Sequence, residues 1–280
     1  MPSVRSTDHR SRKISTAAVV GVIANLGVYF AVHTLFRQTQ PVGPPVLALE
    51  LPDLSTLRPD ALGIAVVAVA AGILGLVVGV GVNRAAGRYP WVAEEGARGR
   101  AVRPPVVEIG TALLFAVAAL RFGASWELPA HLFLAGAGVL LAVIDLQHHK
   151  LPNRVVVPSL GIGAALLAVA AAGEHDWPAL LRAGLGAVVL FAVFLVMALI
   201  SPRSLGMGDV KLAALIGLYL GWLGWGAVFL GAAAGFVVQA VVALVLLAAR
   251  LVKLRGHLPF GPAMLLGAAL VIGWSGALVL

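Results

Sequence analysis

The stretch ALLRAGLGAVVLFAVFLVMALI, residues 179–200, decides the fold class. It carries one charged side chain, Arg182, and no polar side chain beyond it. Its length matches the ~20 apolar residues needed to cross the hydrocarbon core of a bilayer. A surface helix in water keeps a polar face, and this segment has none. The rest of the chain repeats the pattern. Of 280 residues, 60% are hydrophobic and 11% charged, whereas a soluble domain is about half apolar and about a quarter charged. That composition excludes a soluble globular protein, a disordered chain and a disulfide-rich secreted module. The chain contains no cysteine, which excludes disulfides, thiolate zinc sites and cysteine nucleophiles.

Working outward from residues 179–200, apolar runs fall at 16–36, 61–82, 106–122, 128–146, 155–172, 209–222, 225–249 and 260–280. The expected fold is therefore all-α and polytopic, with nine transmembrane helices and short loops. The boundary between 209–222 and 225–249 rests on Gly221-Trp222-Leu223-Gly224-Trp225-Gly226, whose glycines suit a tight hairpin. Orientation follows from lysine and arginine. The N-terminal tail, the loop at 83–105 and the later loops on the same side hold 16 of the 20 basic residues. On the other side are Arg37, Arg58, Arg121 and Arg182. This bias alternates at every crossing of a nine-span chain. It places the N-terminus in the cytoplasm and the C-terminus outside, and it accounts for the net charge of +8 without nucleic acid as a partner. Residues 30–45 lack a clean small-x-small cleavage site, so residues 16–36 are expected to stay as an uncleaved span. Two units are expected: residues 1–60, with a basic tail, an extra span and an outer loop, and an eight-helix membrane core at 61–280.

Carboxylates at membrane depth are costly and are functional candidates by default. Three lie in or against the apolar runs: Glu108, Asp145 and Asp209. Glu108 sits in a first helical turn, where the helix dipole favours an acid. Asp145 ends the fourth span and Asp209 opens the seventh. The fourth span leaves the membrane on the cytoplasmic side and the seventh enters from it, so topology puts both aspartates at one face. A seventh span of residues 209–222 is only ~21 Å of helix, shorter than the ~30 Å hydrocarbon core. Asp209 is therefore expected below the headgroups. Paired aspartates suit aspartic protease chemistry, one drawing a proton from water and the other polarising the scissile carbonyl. Gly206 and Gly208 precede Asp209 and let an extended peptide approach the backbone.

These residues resemble the prepilin peptidase family, the intramembrane aspartyl proteases of the GxGD type. Ile144-Asp145 with Lys150-Leu151-Pro152-Asn153 resembles that family's first catalytic segment. Leu205-Gly206-Met207-Gly208-Asp209-Val210-Lys211-Leu212 resembles its G-x-G-D-x-K-L motif. Leu258-Pro259-Phe260-Gly261-Pro262 resembles the segment before its last helix. Weaker echoes are Gly79 to Asn83-Arg84 and Pro105-Val106-Val107-Glu108. The resemblance covers roughly residues 70–270. It implies Asp145 and Asp209 as the catalytic pair, with Gly206, Gly208, Lys211, Pro152, Asn153, Glu108, Pro259, Phe260, Gly261 and Pro262 in supporting or substrate-binding positions. It also implies prepilins or pseudopilins as substrates, a bilayer as surroundings and the bacterial cytoplasmic membrane as location.

Two departures stand out. Many family members carry a large cytoplasmic loop with paired CxxC motifs, which binds zinc and accompanies N-methylation of the new N-terminus. Here the loop at 83–105 is short and lacks cysteine. No metal and no cofactor are expected, and S-adenosylmethionine enters only if methyl transfer is retained. The span at 16–36 precedes the family's usual eight helices. Other readings of the residues are a Ser204–Lys211 dyad, a metal held by Asp145, His148 and His149, a serine site at Ser275, and a proton- or cation-coupled transporter. The transporter should show internal repeats, and none is seen.

Overall fold

The computed structural model describes residues 59–89, 99–201, 205–250 and 258–275. Among them the order is α1 (Pro59–Gly87), α2 (Val106–Phe122), α3 (Leu128–His148), α4 (Asn153–Glu174), α5 (Trp177–Ile200), α6 (Met207–Leu223), α7 (Trp225–Ala248) and α8 (Gly261–Trp274). These are the second to ninth expected spans. The span at 16–36, Ser204 and residues 276–280 lie outside the described residues. Five helices are long and apolar enough to cross a membrane: residues Leu62–Gly87 within α1, and α3, α4, α5 and α7. The secondary structure of the described residues is all helical, and the chain is a multi-pass membrane protein.

The outer surface explains the composition. Val66, Val69, Ile73 and Val77 on α1, Leu181, Leu185, Val188 and Leu199 on α5, and Phe229, Val237, Val241 and Leu244 on α7 are all exposed. Apolar side chains exposed in continuous rows along spanning helices form a lipid-facing surface rather than a soluble one.

The centre of the bundle is α6. Every residue from Leu212 to Trp222 is buried, the all-round burial of a core helix. Small residues let its neighbours come close. A Cβ at Gly217 or Gly221 would run into the α5 backbone at Gly186 and Ala183, and one at Gly231 of α7 would meet Leu220. Where lipid surrounds the bundle, such backbone approach replaces hydrophobic collapse as the packing force. The glycine hairpin forms as expected. Gly224 takes φ 140°, a conformation that glycine adopts without strain, and α7 starts at once. Arg182, the lone charge of the opening stretch, reaches the end of α6. Its Nε donates to Gly221 O at 2.9 Å and its Nη2 to Trp222 O at 2.7 Å, covering carbonyls that a helix end leaves open.

Candidate active site

The opposite end of α6 carries Asp209. This helix begins earlier than expected, at Met207, with Gly206 as N-cap. Asp209 is therefore the third helical residue, and its Oδ2 accepts the Gly206 N–H at 3.0 Å. This is the reverse arm of a capping box, and it holds the carboxylate over the start of the helix. At seventeen residues, α6 is ~25 Å long, which remains shorter than the ~30 Å hydrocarbon core.

Asp145 comes to the same place from α3. That helix ends because His149 turns left-handed, with φ 51°, and because Pro152 disfavours helix at the residue before it. Asp145 is only 5% exposed, between the fully buried Ile144 and the half-buried Leu146. Its Oδ2 accepts the backbone N–H of Gly261, the first residue of α8, at 3.1 Å. Asp145 and Asp209 are within electrostatic reach of each other.

Leu151 is the spacer between the two arms. A Cβ built on Gly208 would meet Leu151 Cβ at 2.8 Å, and one built on Gly261 would meet Leu151 Cδ1 at 3.4 Å and Asp145 Oδ2 at 2.7 Å. Gly208 and Gly261 are thus closed against the protein itself. Gly206 is exposed, and a Cβ there would meet only ordinary contacts, 3.5 Å from Asp209 Oδ2 being the nearest. Of the two glycines before Asp209, only Gly206 has open space at its backbone. Phe260 caps α8, stacks on Phe194 with ring centroids 6.2 Å apart, and packs at a tilt against Phe236 at 5.1 Å. Pro259 is half-buried beside it, and Pro262 is buried in the first turn of α8.

Lys211 and Glu108 tie neighbouring elements together. Lys211 lies two residues after Asp209, and its Nζ donates to Asn153 Oδ1 at 2.8 Å, fastening the start of α4 to α6. Glu108 joins a separate network. Its Oε1 accepts from Asn83 Nδ2 at 3.0 Å, and Asn83 also exchanges hydrogen bonds of 3.0 Å with the backbone of Val102. Gln147, two residues after Asp145, donates to Ala101 O at 2.6 Å. The described end of the loop at 83–105 is therefore held between α1 and the last turn of α3. Asn83 was legible only as a weak motif echo. Leu151 and the Gly261 N–H carried no chemical signal of their own, since their parts come from tertiary position. Among the described residues no group of three or more His, Asp or Glu is placed to hold a metal.

Residues 132–249, which contain both aspartates, match the model of the type IV leader peptidase family. The chain is 36% identical over 180 residues to a prepilin leader peptidase/N-methyltransferase of Bacillus subtilis, covering 62% of this chain and 67% of that protein. The chain belongs to the type IV leader peptidase family. Proteins with the same description in Pseudomonas aeruginosa and Pseudomonas putida are 31% identical over 174 residues and 35% identical over 179 residues. In both cases 62% of this chain matches, and the chain spans 59% of the relative's length. No solved structure matches the chain.

Proposed function

We propose that this protein is an aspartic endopeptidase of the bacterial cytoplasmic membrane that cuts the basic leader from type IV prepilins or pseudopilins. The observation that carries the reading is the meeting of Asp145 and Asp209 at one end of the bundle. Each accepts a backbone N–H, and an exposed glycine backbone lies beside them. One carboxylate takes a proton from water as the water attacks the scissile carbonyl, and the other, protonated, donates to the carbonyl oxygen. Both carboxylates sit at a helix N-terminus, Asp209 in the first turn of α6 and Asp145 on the first N–H of α8, where the dipole favours an ionised carboxylate, and either can serve as the base. The substrate strand lies along the Gly206 backbone, with its basic leader toward the carboxylates and its apolar helix in the bilayer.

The relatives' names include N-methyltransferase. The zinc-binding loop that accompanies this activity does not fit here. The chain has no thiolate, and the described residues offer no alternative ligand cluster. The proposed cleavage involves neither zinc nor S-adenosylmethionine, and it leaves a free amine on the product.

Co-expression with a candidate prepilin tests both points. A gel shift should report loss of the leader, and mass spectrometry should find the new N-terminus cut after glycine and unmethylated. An uncut prepilin, in membranes where a known family member cuts it, contradicts the endopeptidase reading. A fully methylated product made by this protein alone contradicts the methylation reading.

A further inference from the structure

A second feature lies away from the aspartates. A partly open apolar cavity of about 160 Å³ runs between α2, α3 and α8, with walls including Leu114, Ala118, Leu134, Ala142, Leu266 and Ala269. Its lining extends along α8 from Pro262 to Gly273. Twelve residues of helix are ~18 Å, about the depth of one leaflet of a ~30 Å hydrocarbon core. The volume is close to the ~150 Å³ of an engineered apolar cavity that admits benzene. It suits a slender chain and is far too narrow for a helix ~10 Å across.

Polar groups gather at one end of the lining, opposite the aspartates. There Arg121 and His131 face the cavity. Arg121 Nε is buried without a partner. Among the described residues its guanidinium has one long hydrogen bond, Nη2 to Ser275 Oγ at 3.4 Å, and lies 5.1 Å from the Phe122 ring centroid. The nearby Glu127 carboxylate is engaged by Trp222 Nε1 at 2.6 Å. His131 is 3% exposed and stacks on Phe122 at 3.9 Å. Its Nδ1 donates to Glu127 O at 2.9 Å, and its Nε2 is buried without a partner. In the neutral ring that nitrogen accepts a hydrogen bond. A guanidinium whose Nε–H has no partner, with only the Glu127 carboxylate as charge nearby among the described residues, and an open acceptor at the end of an apolar slot suit a ligand with an anionic, hydroxyl-bearing head and a hydrocarbon tail.

We propose that this cavity seats one acyl chain of an anionic phospholipid of the phosphatidylglycerol type, with its phosphate on Arg121 and a headgroup hydroxyl on His131 Nε2. The bound chain fills the space beside α8, the helix whose first N–H holds Asp145, and so couples lipid composition to the position of that helix.

The full-length protein, stripped of lipid in detergent, is titrated with phosphatidylglycerol and with phosphatidylcholine of matched chains and read by native mass spectrometry. One phosphatidylglycerol per chain should be retained about tenfold over phosphatidylcholine, and Arg121→Gln should erase the preference. Equal retention of the two lipids, or an unchanged preference in Arg121→Gln, overturns the proposal. A second arm needs no loss of charge. A benzophenone side chain at Ala142, in vesicles of one part phosphatidylglycerol to three parts phosphatidylethanolamine, should yield a phosphatidylglycerol adduct. An adduct with a co-expressed prepilin, or with another segment of this chain, overturns it, as does failure to capture lipid.

Discussion

At the scale of single residues, the three glycines around the aspartates separate packing from chemistry. Gly208→Ala drives a methyl into Leu151, and Gly261→Ala drives one into the Asp145 carboxylate. Gly206→Ala meets no such obstacle. Overpacking of this kind costs about 1–3 kcal/mol, so Gly208→Ala should lower thermal stability measurably. Gly261→Ala should displace Asp145, and a ~1 Å misplacement costs on the order of 10²-fold in rate. Gly206→Ala should keep the melting temperature of the parent and lose cleavage, because only the approach of substrate is obstructed. Thermal melts beside cleavage rates distinguish the three. A Gly206→Ala enzyme of full activity contradicts the docking of substrate along this backbone. The sequence signalled both glycines before Asp209 as one motif and offered no way to tell their tasks apart. That difference exists only because Leu151, from another loop, lies against one of them.

At the scale of elements, the helices were legible because lipid removes ambiguity. A run of some twenty apolar residues has one stable form in a bilayer. The ends were less so. The seventh span was expected at residues 209–222, the apolar run that Asp209 opens, yet α6 starts at Met207 with Asp209 inside its first turn. Lys211 bonds Asn153 at the start of α4, a tie between two helices that its place two residues after Asp209 does not announce. The loop at 83–105 shows what periodicity leaves out. Asn83 fixes Val102 and Glu108 together, a contact between α1, a loop and α2 that no local pattern encodes. Asn83→Ala leaves buried groups of both unpaired, at about 1–3 kcal/mol. It should lower the melting temperature more than Glu108→Gln, which keeps the size and one acceptor of the side chain. Equal effects of the two changes would show that Asn83 does not hold the loop.

At the scale of the whole molecule, the account depends on orientation. The charge alternation puts the loop at 83–105 inside and the α4–α5 turn outside. Without native cysteines, single labels are unambiguous. Gly99→Cys and Glu174→Cys are both at exposed positions. An impermeant maleimide added to intact cells should label Cys at 174 and spare Cys at 99. Labelling of both from outside would break the alternation and the shared depth of the aspartates. The central claim is that Asp145 and Asp209 form one catalytic unit, and cleavage by the single and double asparagine variants tests it most directly. Asp145→Asn and Asp209→Asn should each insert and fold as the parent does and lower the cleavage rate by roughly 10³-fold or more, with the double variant little worse than either, because groups acting as a unit are not additive. Substantial cleavage by either folded single variant would contradict the mechanism.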